Sequence, residues 1–146
     1  MWYNPIMQQV LRSPLHGLLS GNMMLIKFTG RKSGKPYSVP TNYVRDGDDL
    51  WVVSLRRRTW WRNLRGGTPV AVCLCGQELK GTAEVVDGEL TVAVSLYAYL
   101  QRAPQAARYL DVQLDPAGQP QRDDVARAAQ TRVMLRIHLA PERVAA

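Results

Sequence analysis

The chain has two cysteines, two histidines and one phenylalanine in 146 residues. Cys73 and Cys75 lie two apart in an apolar run, so on a strand they share a face, a placement that disfavours a disulfide. Two thiols alone make no zinc site, and His16 and His138 are far apart in sequence, so no metal centre is expected. No apolar run approaches the ~18 residues of a membrane span. The opening "MWYNPIMQQVLRSPLHGLL" lacks the charged, apolar and small-residue order of a signal peptide, and a cytoplasmic protein is expected. Nucleophile–base pairs and carboxylate dyads are missing too, as are internal repeats and linkers. The expectation is one domain over 1–146.

Acidic residues are scarce where basic ones are dense. Residues 1–66 hold eleven Lys and Arg against three Asp, and they account for the net charge of +7. The excess sits mainly in two clusters: Lys27, Arg31, Lys32 and Lys35, then Arg56, Arg57, Arg58, Arg62 and Arg65. Such a patch suits a phosphorylated partner, with a solvated basic surface as the plain alternative.

Periodicity places the elements. Residues 1–20 carry Ile6, Val10, Leu11, Leu15, Leu18 and Leu19 at helical spacing, interrupted at Ser13-Pro14. Five strands are expected within 23–86: "MMLIKF" (23–28), "PYSVPTNYV" (36–44), "LWVVSL" (50–55), "PVAVCLCG" (69–76) and "LKGTAEVV" (79–86). The first three read as an antiparallel meander. Asp-Gly at 46–47 turns the second hairpin and Gly76-Gln77 the third. A short helix is expected at 59–65, with Thr59 able to cap it. Residues 88–130 read as a helical region, whose first helix carries Leu90, Ala93, Val94, Tyr97 and Leu100 on one face. "TRVMLRIHL" closes the sheet as a sixth strand over 131–139. Six antiparallel strands leave costly edges unless the sheet closes, so the expected fold is α+β, mainly β, built on a small antiparallel barrel.

Two basic loops belong at one end of that barrel, because alternate loops of a meander emerge together. The first, "GRKSGK", offers backbone amides at Gly30 and Gly34, the Ser33 hydroxyl and three cations. The second, "SLRRRTWW", brings arginines to a helix start, where anions are favoured, and Trp60 or Trp61 offers a flat face for a ring. One of the two tryptophans is expected in the core.

"TGRKSGKPYSVPTNYVRDGDDLWVVS" followed by "WWRNLRGGTPVAV" resembles the deazaflavin-dependent nitroreductase family of split β-barrel flavoproteins. The ordered series covers roughly residues 23 to 86. The resemblance implies a six-stranded FMN-binding-like split barrel and hydride transfer from reduced F420, a deazaflavin with a phosphate and an oligoglutamate tail. By the same resemblance, Arg31, Lys32, Ser33 and Lys35 meet the anionic tail, and Val39, Pro40 and Thr41 line the ring. Ser54, Arg56 and Arg58 meet the phosphate, while Trp60 and Asn63 occupy matching helix positions. Tyr97, Tyr99 and Tyr109 are the candidates on the substrate side, and no catalytic acid is assigned among them. The implied acceptor is small and unsaturated, quinone-like or nitro-aromatic.

The loop "LRRR" is shorter than the Gly-Gly-containing loop of many members, which keeps FMN open as the alternative cofactor. A carrier that binds a flavin or deazaflavin without turnover is a second alternative. Nucleic-acid binding through interleaved Trp and Arg is the third and least favoured. Peripheral membrane contact through Trp2, Tyr3, Ile6 and Val10 stands against packing of that helix on the barrel. A homodimer is among the outcomes the resemblance allows.

Overall fold

The computed structural model describes residues 23–141. The expected N-terminal helical segment, with Trp2, Tyr3, Ile6 and Val10, lies outside the described residues. The strands are β1 (Met23–Thr29), β2 (Pro36–Asn42), β3 (Val44–Asp46), β4 (Asp49–Leu55), β5 (Thr68–Leu74), β6 (Gln77–Val86) and β7 (Arg132–Leu139). Two α-helices, α1 (Glu89–Arg102) and α2 (Arg122–Ala129), and two 3-10 helices, Trp60–Leu64 and Pro104–Leu110, complete the chain. The strands form one antiparallel sheet in the order β2-β1-β5-β6-β7-β4-β3, curled into a half-barrel.

There are seven strands where the sequence suggests six. The segment 36–44 does not run as one strand. Its ladder with β1 extends from Thr29↔Pro36 to Met23↔Asn42, and the chain then leaves that edge. After Tyr43 it resumes as β3 on the opposite edge, paired with β4 through Val44↔Trp51 and Asp46↔Asp49. The tight hairpin at Gly47-Asp48 ties those residues to β4, so they cannot also continue along β1. The expected three-strand meander is therefore not formed: β4 pairs with β3 and β7, never with β2.

The β5–β6 hairpin also turns one residue earlier than expected. Leu74 pairs with Gln77, leaving Cys75 and Gly76 as the two turn residues, at φ 49° and 77°. Both left-handed values belong to the turn that matches strand twist. Cys75 thus sits in the turn and not on the strand face of Cys73.

Each long strand buries residues by alternation. Leu50 and Val52 of β4 and Val133, Leu135 and Ile137 of β7 fill the barrel with Met24, Ile26, Val72, Trp61 and Leu64. The intervening Trp51, Val53 and Met134 face the other way, under the helices. This second layer explains why "LWVVSL" is apolar on both faces. It also corrects the reading of α1. The buried face carries Val92, Leu96, Tyr99 and Leu100, while Leu90 and Val94 are 84% and 73% exposed. Apolar side chains occur almost all round this helix, so spacing alone did not choose the face; contact with Met134 and with Val125 and Ala129 of α2 does.

Candidate functional site

A gap lies between the edge strand β2 and the part of β4 beyond its ladder with β3, and a groove of about 450 Å³ opens there. One wall is β2, through Val39, Pro40 and Thr41. Among the described residues β2 pairs only with β1, so its outer backbone edge takes part in no ladder there. The other wall is the end of β4, with Val53, Ser54 and Leu55, extended by Arg58 and Trp60. Tyr99, Ala106, Tyr109 and Leu110 close the groove from the helical side, and Arg132 stands at the start of β7. The lining carries two guanidinium groups and no carboxylate. Arg132 donates to the Thr131 hydroxyl at 2.8 Å. The Arg58 guanidinium has no hydrogen-bond or ion-pair partner among the described residues.

Trp60 and Trp61 divide their work. Trp61 is a core residue, 1% exposed, while Trp60 packs on Phe28 (ring centroids 6.2 Å apart) and also reaches the groove. Phe28 in turn stacks on Tyr37 at 5.7 Å, so an aromatic column supports the groove floor. The helix that presents them is a five-residue 3-10 helix with no side-chain cap from Thr59. So short a helix supplies little dipole for an anion, and the charged side chains around it are the stronger attractant.

The first basic loop lies beside that helix, as expected for two loops at one end. The Arg31 backbone N–H donates to Asn63 Oδ1 at 3.0 Å, and the Arg31 guanidinium donates to the Arg65 carbonyl. Asn63 Nδ2 donates to the Trp60 carbonyl at 3.0 Å. Arg31 and Asn63 thus hold the loop to the helix. Ser33 Oγ accepts from the Lys35 N–H at 3.2 Å and shares a hydrogen bond with the Tyr37 hydroxyl at 3.1 Å, which shapes the turn. A Cβ at Gly30 would lie 2.5 Å from the Tyr37 ring, so only glycine fits beneath it. Lys32 and Lys35 are exposed, and their ammonium groups have no partner among the described residues.

Arg56 is engaged elsewhere. Its guanidinium donates to the carbonyls of Asp87 (2.9 Å) and Arg132 (3.1 Å), clamping β7 to the chain after β6. It does not line the groove. Of the residues singled out in sequence, the groove therefore gathers Val39, Pro40, Thr41, Ser54, Arg58 and Trp60, with Tyr99 and Tyr109 from the helical side.

The three tyrosines separate as well. Tyr97 lies against Arg122, Ala93, Val94 and Val125 in a different cavity. Tyr109 is 71% exposed, and its hydroxyl accepts from the Arg108 guanidinium at 2.8 Å. Tyr99 is 7% exposed and lines the groove, and its hydroxyl has no partner among the described residues. Burial pushes the Tyr99 phenol above its ordinary pKa, so it stays protonated at neutral pH. Arg132 and Leu110 were missed in sequence. Arg132 belongs to the polar face of its strand, and only the register Leu55↔Arg132 carries it to the groove.

Among the described residues no group of three or more His, Cys, Asp or Glu is placed to hold a metal ion. Nor, among them, is any helix long and apolar enough to cross a membrane.

Solved structures share this fold at low identity. One described as a domain-swapped dimer superposes with a TM-score of 0.54 at 18% identity, covering 92% of this chain and 94% of its own. A FAD and heme binding protein from Mycobacterium smegmatis gives 0.56 at 19%, with 86% of this chain and 65% of that one covered. An F420-H2 dependent reductase, FDR-A, gives 0.52 at 20%, with 80% and 94% covered. No curated protein gives a significant match. The sequence model of the F420H(2)-dependent quinone reductases matches residues 6–115, three quarters of the chain and every strand of the barrel but the last. The chain belongs to the F420H(2)-dependent quinone reductase family, a family of F420-dependent oxidoreductases.

Proposed function

We propose that this protein reduces a quinone-like acceptor with reduced F420, both ligands meeting in the gap between β2 and β4. The observation that carries this reading is the groove itself: an edge strand, two guanidinium groups and the Tyr99 phenol line one space, and among the described residues neither the Arg58 guanidinium nor that phenol has a partner. Its size lies within the range of small-molecule sites.

The donor set suits an anionic deazaflavin. The outer edge of β2 offers backbone groups to a flat polar ring, and Pro40, lacking an N–H, adds an apolar contact there. Arg58 and Arg132 suit the phosphate, and Lys32 and Lys35 suit a carboxylate tail running past the first loop. Arg31 and Asn63 act indirectly by fixing that loop. Bound reduced F420 supplies a hydride, and the protein supplies position and electrostatics. Tyr99 donates a hydrogen bond to the acceptor oxygen on which negative charge develops. A proton from water entering the open groove completes the hydroquinone, so two electrons and two protons are accounted for.

A fluorescence titration with F420 and FMN in parallel tests the reading. F420 is expected to bind with a Kd below about 100 μM. Failure of both ligands to reach that affinity overturns the site, and binding of FMN alone reassigns it to a flavin. Arg58→Ala is expected to weaken F420 binding by about 1–3 kcal/mol, nearer the lower figure because the side chain is exposed. Unchanged affinity removes Arg58 from the site.

A further inference from the structure

Next to the groove lies a second cavity, of about 410 Å³. Asn42, Tyr99, Ala106 and Tyr109 line both, so Tyr99 and Tyr109 stand between two adjacent spaces. The rest of the second wall includes Arg45 from β3 and Arg102 from the last turn of α1, and no carboxylate. Arg45 Nε donates to the Gly47 carbonyl at 3.0 Å, while its two terminal nitrogens have no partner among the described residues. Arg102 pairs with Asp46 at 3.0 Å, but both side chains are about half exposed, at 53% and 51%. Water screens such a pair, and a competing anion can exchange into it. Val44, Ala103 and Ala106 give the cavity an apolar floor. Tyr43 belongs to the same wall. Its phenol is pushed up by burial and by Cys75, against the opposing pull of Arg45.

An apolar floor rimmed by two guanidinium groups recognises an apolar body ending in a carboxylate, which accepts the paired N–H donors of arginine. A neutral quinone has no use for them. We propose that the second cavity receives the far end of the acceptor and selects acceptors that carry a carboxylate there. The inference rests on the quinone-reductase reading for the reacting end, which the groove holds. It adds the chemistry of the end that does not react.

The test uses the full chain with saturating reduced F420 and two acceptors, a naphthoquinone bearing a carboxylate side chain and its neutral amide. The acid is expected to show a kcat/KM roughly tenfold higher, carried mainly by KM. Arg45→Gln is expected to remove most of that preference, and Arg45→Lys to keep part of it. High salt is expected to erode it in the parent protein. A parallel calorimetric arm, without F420, compares 2-naphthoate with 2-naphthamide. Naphthoate binding no tighter than naphthamide overturns the inference whether or not quinones are reduced. Equal kcat/KM for acid and amide overturns it as well, and leaves quinone reduction standing. Naphthoate preference without oxidation of reduced F420 by either quinone supports the anion site and overturns the quinone reading alone.

Discussion

Tyr99 shows what a single residue's surroundings add to its identity. In sequence it was one of three tyrosines in a helical region, with nothing local to rank them. In the fold Tyr97 turns to another cavity and Tyr109 gives its hydroxyl to Arg108, while Tyr99 keeps an unpartnered hydroxyl at the groove. Tyr99→Phe deletes that hydroxyl and preserves the ring that packs against the second core layer. We expect quinone reduction under saturating F420 to slow on the order of 100-fold, the cost of removing one donor from a developing oxyanion. F420 affinity should stay within experimental error of the parent. A loss in affinity alone, with kcat intact, would instead make Tyr99 a wall residue. The first basic loop was the more legible feature, because "GRKSGK" carries its own turn chemistry. Which of its residues stay free was not legible, since Arg31 is drawn inward by Asn63 and Arg65, partners more than thirty positions away.

At the scale of elements, strands were readable where they alternate and helix faces were not readable where apolar residues crowd. β7 announced itself by period two and β4 by a short apolar run, and both lie where expected. The helix α1 has apolar residues on nearly every side, and its buried face is chosen by β7 and α2 across the second core layer. Paired substitutions test this choice. Leu96→Ala, at a fully buried site, should lower unfolding free energy by about 2–5 kcal/mol. Leu90→Ala, at the exposed start of the helix, should stay within about 0.5 kcal/mol of the parent. Chemical denaturation of both variants checks the assignment, and the reverse ranking would return the helix to the face that spacing suggests. The missed break at Tyr43 has a related origin. Residues 36–44 keep a strand-like pattern throughout, and nothing local marks where the partner changes from β1 to β4.

For the molecule as a whole, that break sets an aperture. The two outermost strands of the sheet, β2 and β3, are consecutive in the chain and separated by Tyr43 alone. Two residue steps span at most about 7 Å, so Asn42 and Val44 cannot part further than that. The gap is therefore tied at its Tyr43 end, where the chain passes from one edge of the sheet to the other. The depth of travel of a flat ligand is then limited by that pin. Inserting two glycines after Tyr43 would raise the limit to about 14 Å. Weaker F420 binding in that variant, with the thermal midpoint little changed, is the expected result, and unaltered affinity would show that the pin does not gauge the ligand. On this geometry the span between the two edge strands at Tyr43 is a covalent dimension of the chain, set by the count of residues between them.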